Sequence, residues 1–95
     1  ETLRSPVYSK FKIAIEGHTD DNPVANGRFA SNWELSAARA TNVVRLFGGA
    51  ETPVHRMRAV AFAETQPKFA NRDGAGNPLP ENQAKNRRII IRVHR

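Results

Sequence analysis

The residues of this chain best suited to chemistry are a polar cluster, Glu16, His18 and Asp20, and an arginine further on, Arg39. Asp20 can receive a cation. Arg39 can grip an anion, because a guanidinium presents a planar fork of donors that matches a carboxylate. Two arrangements would satisfy both groups. They can pair as a salt bridge closing a strand-to-helix turn, the simpler reading of the spacing, or stand apart and hold a zwitterion between them. Extended backbone would set Glu16, His18 and Asp20 on one face, as a metal site requires. His55 and His94 are too remote to complete a ligand set, so no metal is expected, and His18 reads as a turn residue that hydrogen-bonds locally. A hydrolytic set of Ser36, His18 and Asp20 can be drawn on paper. It lacks a G-x-S-x-G elbow and puts its serine inside a helix, so neither enzyme nor cofactor is expected. Trp33, the only tryptophan, can be core lid, ligand platform or subunit contact, the lid being the default. Arg87 and Arg88 are either strand-end charges in solvent or positive charge beside an anionic ligand.

These groups need elements to position them. Lys10 to Glu16 alternates apolar and polar residues and predicts a strand, which Gly17 should end. The turn formers of Asp21–Gly27 follow. Ser31 can cap a helix over residues 32–47, with Glu34 completing a capping box. Leu35, Ala38, Val43, Leu46 and Phe47 form its apolar stripe, and Gly48 with Gly49 stops it. Arg39, one turn after Leu35, lies near that stripe and should be partly desolvated. Met57–Ala63 predicts a second strand, whose small residues Ala59, Ala61 and Ala63 allow close packing on a helix. Glu64 to Pro80 reads as a long, loose connection. Pro80–Asn86 predicts a short helix with proline in its first turn. The apolar run Ile89–Val93 predicts a central strand covered on both sides. Strand, helix, strand, short helix, strand gives an α/β (α+β) two-layer sandwich, with helices packed on a small mixed sheet. Glu1–Ser5 reads as the tail of a helix, so a helix and an edge strand of the sheet are expected to be missing.

Ninety-five residues make one domain, with a single modest core. Absence of cysteine excludes thiol catalysis and Cys-based metal sites. No apolar run approaches the roughly 20 residues of a membrane span, and no signal-peptide pattern is present. The start at Glu1 reads as a piece of a longer chain. Fifteen basic against nine acidic residues give a net charge of +6, which favours an anionic partner. Five of the basic residues (Lys85, Arg87, Arg88, Arg92, Arg95) fall near the C-terminus, and the bland reading is a solvated face with a basic end. Nucleic acid would want a basic recognition helix or interleaved aromatics. The helix over 32–47 offers only Arg39 and Arg45, so no nucleic-acid partner is expected.

Three ordered motifs are present: Gly17-His18-Thr19-Asp20, then Asn32-Trp33-Glu34-Leu35-Ser36-Ala37-Ala38-Arg39-Ala40, then Asn86-Arg87-Arg88-Ile89. Together they resemble the OmpA-like domain, over residues 1–95 but without the family's first strand and most of its first helix. Within the family, GHTDDNP followed by SNWELS is similar to the flagellar stator subunits of the MotB type. The resemblance implies a non-enzymatic anchor that binds peptidoglycan. Asp20 and Arg39 would hold the zwitterionic end of diaminopimelate in the stem peptide. Thr19, Asn32 and Leu35 would shape the pocket, with Arg87 as a further contact. It also implies a periplasmic location as part of an inner-membrane protein, a homodimer, and a MotA-type membrane partner reached through a transmembrane part outside these residues. An OmpA-like tether of a lipoprotein or outer-membrane protein is the alternative. The chain departs from the family in having Ala61 and Ala63 where glycines are common, and Gln83 where many relatives place an arginine. The connection from Glu64 to Pro80 is also longer than usual.

Overall fold

The computed structural model describes residues 11–24, 27–48 and 56–94. The helix tail expected over Glu1–Ser5 lies outside the described residues. Five elements follow in order: β1 (Lys12–His18), α1 (Asn32–Phe47), β2 (Met57–Ala63), α2 (Pro80–Asn86) and β3 (Ile89–His94). The strands form one mixed sheet in the order β2-β1-β3, with β1 parallel to β2 and antiparallel to β3. The expected α+β architecture is therefore present.

Helix α1 begins where its capping chemistry says it should. Ser31 has extended backbone, its hydroxyl accepts from Trp33 N at 3.1 Å, and the same hydroxyl meets the Glu34 carboxylate. The other end is closed by Gly48 N donating to Val44 O at 2.8 Å. The helix lies on β1 and β2, and the core forms where Ile13 and Ile15 meet Ala40, with Val43, Val44, Met57 and Ile89 packed around them. Burial of an isoleucine side chain contributes about 1.5–3 kcal/mol. In a core this small, Ile13 and Ile15, each wholly inaccessible to solvent, carry much of the stability.

Gly17 does not end its strand, contrary to the sequence reading. β1 continues to His18, and the glycine is there because the helix backbone passes over it. A Cβ at this position would sit 2.2 Å from the Ser36 carbonyl oxygen. Ser36 also reaches β2, where its hydroxyl accepts from Ala63 N at 3.1 Å. Ala63 adopts a left-handed conformation, φ 51°, and the β1–β2 register shifts beside it. The small residues of β2 thus admit the helix as expected at Ala63, which is buried, whereas Ala59 stays exposed.

The central strand is β1, not the Ile89–Val93 run. Every residue from Ile13 to Asp20 is buried. Among the described residues β3 is an edge of the three-stranded sheet, and Ile91 and Val93 are 47% and 46% exposed, α1 lying over β1 and β2. An apolar run satisfies a doubly covered strand, but composition alone does not place it.

The connection after β2 is not loose. Asn86, completely buried, accepts from Lys68 N at 2.9 Å and Phe69 N at 3.0 Å, and donates to Phe69 O and Asn71 Oδ1, each at 2.8 Å. Its tip is closed by Asp73, which accepts from Ala75 N and Asn77 N at 2.9 Å.

Candidate functional site

The loop that leaves β1 is held in shape by backbone and side-chain hydrogen bonds. Thr19 N donates to Ala63 O at 2.9 Å, and the Thr19 hydroxyl donates to Asp20 O at 2.8 Å. Asn32, buried in the first turn of α1, donates from its side-chain amide to Asp20 O at 3.3 Å and Asn22 O at 3.1 Å. The start of the helix is thereby tied to the end of the strand. Buried amides of this kind need such partners, and here they fix where the Asp20 carboxylate stands.

That carboxylate is 7% exposed and makes two contacts. Oδ1 accepts from Asn22 N at 3.0 Å, and Oδ2 accepts from Arg87 Nη1 at 2.5 Å. Asp20 therefore pairs with Arg87, across 67 residues of sequence, and not with Arg39. Arg39 is exposed and makes no hydrogen bond or ion pair with any described residue. The partial desolvation expected for it is absent, because this flank of α1 turns away from the sheet. Leu35, one turn earlier, is half-buried. Of the six residues singled out from sequence, Thr19, Asp20, Asn32 and Arg87 are thus joined by direct contacts or one shared loop, while Leu35 and Arg39 stand on the adjoining helix face.

A second ring of polar residues surrounds this loop and was not legible from motifs. The Asp21 carboxylate accepts from Arg72 Nε at 2.7 Å and Gln83 Nε2 at 2.9 Å. Partial burial pushes the Asp21 carboxyl up, but the Arg72 and Gln83 hydrogen bonds prevail and hold it below the usual carboxylate range. Gln83, which departs from the arginine common in the family, is 96% buried in this role. The signal for it was the polar residue at a mid-helix position of α2 facing the aspartate pair. A cavity of about 200 Å³ adjoins the loop, with Asp21, Ser31, Asn32 and Glu64 in its walls.

Glu16 and His18 lie on the sheet face opposite α1. Glu16 Oε2 accepts from Arg92 Nε at 2.7 Å, and His18 Nε2 is 3.6 Å from Glu16 Oε1. The local hydrogen bond expected of the His18 side chain is not made, since neither ring nitrogen has a partner within hydrogen-bonding distance. Burial pushes the imidazole below its ordinary pKa, the Arg88 cation adds to this, and Glu16 partly offsets it. Ser36, on the other side, donates to Trp33 O and accepts from Ala63 N. Ser36, His18 and Asp20 therefore do not assemble into a hydrolytic set. Among the described residues no three His, Asp or Glu side chains converge as metal ligands.

Residues 1–89 match the model of the OmpA family. The chain is 36% identical over 84 residues to motility protein B of Bacillus subtilis (strain 168), an alignment covering 85% of this chain and 29% of that protein. Its fold is similar to a MotB-like protein from Desulfovibrio vulgaris, with a TM-score of 0.74 and 41% identity over 90% of this chain and 51% of that one. It is also similar to the cell wall anchor of the T6SS from Pseudomonas aeruginosa, with a TM-score of 0.73 and 34% identity over 90% of this chain and 55% of that one. The chain thus spans less than a third of this curated relative and about half of each solved structure. With the match running through the Asp20 loop, α1 and the Asn86-Arg87-Arg88 segment, this chain belongs to the OmpA family.

Proposed function

We propose that this domain binds peptidoglycan non-covalently, and that it anchors a flagellar stator unit of the MotB type to the cell wall. The ligand is the diaminopimelate-bearing stem peptide. Asp20 receives its ammonium group, and Arg39 grips its carboxylate. The observation that carries the reading is that Asp20 and Arg39 do not neutralise each other. Arg39 is exposed without an ion pair among the described residues, and the Asp20 carboxylate meets only Asn22 N and Arg87. An ionised carboxylate has about four lone-pair sites, so Asp20 can still accept an ammonium beside Arg87. Thr19 and Asn32 set the loop, Leu35 offers an apolar wall, and Arg87, paired with Asp20, adds a further contact at that end of the site.

Weak affinity at each site suffices, because a polymer with many stem peptides makes attachment multivalent, more so in a homodimer. No helix among the described residues is long and apolar enough to cross a membrane. The domain would work in the periplasm as part of an inner-membrane protein, with a MotA-type partner engaged through the transmembrane part. The name of one similar structure, a T6SS cell wall anchor, favours a second reading with the same ligand chemistry: a wall tether unrelated to motility.

Co-sedimentation with diaminopimelate-type peptidoglycan over a salt series tests the clamp. Wild type should sediment, folded Asp20→Ala and Arg39→Ala should stay soluble, and Arg39→Lys should be weakened, since lysine keeps the charge but loses the fork. Equal binding by all four, released by salt alone, would mean that the charge of +6 acts as nonspecific glue.

A further inference from the structure

The second arginine of the Asn86-Arg87-Arg88 segment takes no part in the Asp20 site. It points to the opposite face of the sheet, where it meets the other residue that the proposed function leaves unused, His18. The two are directly opposed across neighbouring strands, His18 N donating to Arg88 O at 3.0 Å and Arg88 N to His18 O at 3.3 Å. Side chains so placed lie on the same face within reach of each other. Together with Glu16, Phe62, Lys68 and Arg92 they line a cavity of about 250 Å³.

We propose that this cavity is an oxyanion site, distinct from the Asp20 site, in which His18, Arg88 and Lys68 take a phosphate or carboxylate group. Three observations carry it. First, His18 is 97% buried and neither Nδ1 nor Nε2 has a partner within hydrogen-bonding distance, Glu16 Oε1 lying 3.6 Å from Nε2, and the buried Nε of Arg88 has none either. Buried donors without partners are costly and rare, and two of them share one cavity wall. Second, both groups are pre-oriented. The His18 ring is stacked on Phe62 with centroids 5.0 Å apart and planes 6° from parallel. The Arg88 guanidinium is held by Asn86 O at 3.2 Å and Gln66 O at 3.0 Å. Third, the charge balance is positive. Glu16, the one acid in the wall, is engaged by Arg92 at 2.7 Å, which leaves Arg88 and Lys68 in excess around a neutral imidazole. Binding of an oxyanion there would favour the imidazolium, so affinity rises as pH falls.

The test is a titration of this chain with sodium phosphate, sodium acetate and sodium chloride at matched ionic strength, read at the His18 ring nitrogens by long-range proton–nitrogen NMR. A saturable shift of His18 that chloride does not produce, with a rise in its pKa and no matching change at His94, is the expected result. Response to phosphate alone identifies a phosphorylated ligand, and response to acetate alone a carboxylate. Arg88→Gln should weaken the response about tenfold or more, the scale of a charge-assisted hydrogen bond. Lys68→Ala, at an exposed position that leaves the fold intact, should weaken it several-fold. No saturable shift with either oxyanion, equal shifts with chloride, or an undiminished response in Lys68→Ala would overturn the proposal.

Discussion

Gly17→Ala is a one-methyl change whose cost can be worked from the packing. The new carbon would lie 2.2 Å from the Ser36 carbonyl oxygen and 3.0 Å from its carbonyl carbon. Ordinary contact begins near 3.4 Å, and close-packed interiors have no slack to absorb the difference, so α1 must retreat by about 1 Å. The retreat stretches the Ala63 N–Ser36 Oγ hydrogen bond from 3.1 Å to beyond bonding range and loosens Ala40 from Ile13 and Ile15. Overpacking costs about 1–3 kcal/mol, and leaving a buried amide unpartnered costs about 1–3 kcal/mol. The sum is a loss of about 2–6 kcal/mol. A domain of this length has about 5–14 kcal/mol in all. Urea unfolding followed by far-ultraviolet circular dichroism measures the loss. Gly27→Ala is the control, with open space around its Cβ and no positive φ, and should change stability by less than about 0.5 kcal/mol. If Gly17→Ala matched that control, the reasoning from helix-to-strand approach would be refuted.

Asn86→Ala removes four hydrogen bonds from a buried position and should cost about 3 kcal/mol or more, with amide exchange accelerating first at Lys68 and Phe69. Equal protection there in variant and wild type would show that Asn86 does not fasten the loop. At Ala63, where φ is 51°, Ala63→Val should destabilise by about 2 kcal/mol or more, since β-branched residues resist the left-handed region. Ala63→Gly should stay within about 1 kcal/mol by thermal melting, its relief of backbone strain offset by lost methyl burial. The lowered folded-state pKa of His18, caused first by burial and then by Arg88, means that the unfolded chain binds the extra proton first. Stability should therefore fall as pH drops through about 6.5, the unfolded value, and level off below the folded pKa. His18→Gln should flatten that slope in unfolding curves taken from pH 8 to 5. A slope of unchanged size in the variant would assign it to other groups.

Helix α1 was legible because its signals are local: a capping serine, a glutamate three residues on, a stripe at helical spacing and a glycine at the end. α2 was legible for the same reason, from Pro80 onward. The misreadings arose where tertiary contact decides. Gly17 looked like a strand end because glycine usually is one, yet its role is to admit the backbone of α1. The Ile89–Val93 run looked central because it is apolar on both faces, and only the course of α1 over β1 and β2 leaves Ile91 and Val93 half exposed. Arg39 looked partly desolvated from its place near the stripe, but the helix is turned so that it stands in solvent. The Asp20–Arg87 pair joins two loops 67 residues apart, a distance over which no local pattern carries information. Gln83 stood out only as a departure from the arginine common in the family, and it is a buried partner of Asp21. The long polar connection looked loose because the residue that fastens it, Asn86, lies in the next helix.

The central claim is that Arg39 reads the carboxylate of a zwitterion whose ammonium Asp20 holds. It is tested most directly by changing that carboxylate on the ligand. Calorimetric titrations would compare a diaminopimelate stem peptide with its amidated form, each against wild type and Arg39→Ala. Amidation should weaken binding to wild type about tenfold or more, the scale of a charge-assisted bidentate contact, and should make little further difference to Arg39→Ala. If amidation weakened both proteins equally, Arg39 would not be the residue that meets the carboxylate, and the clamp would be wrong.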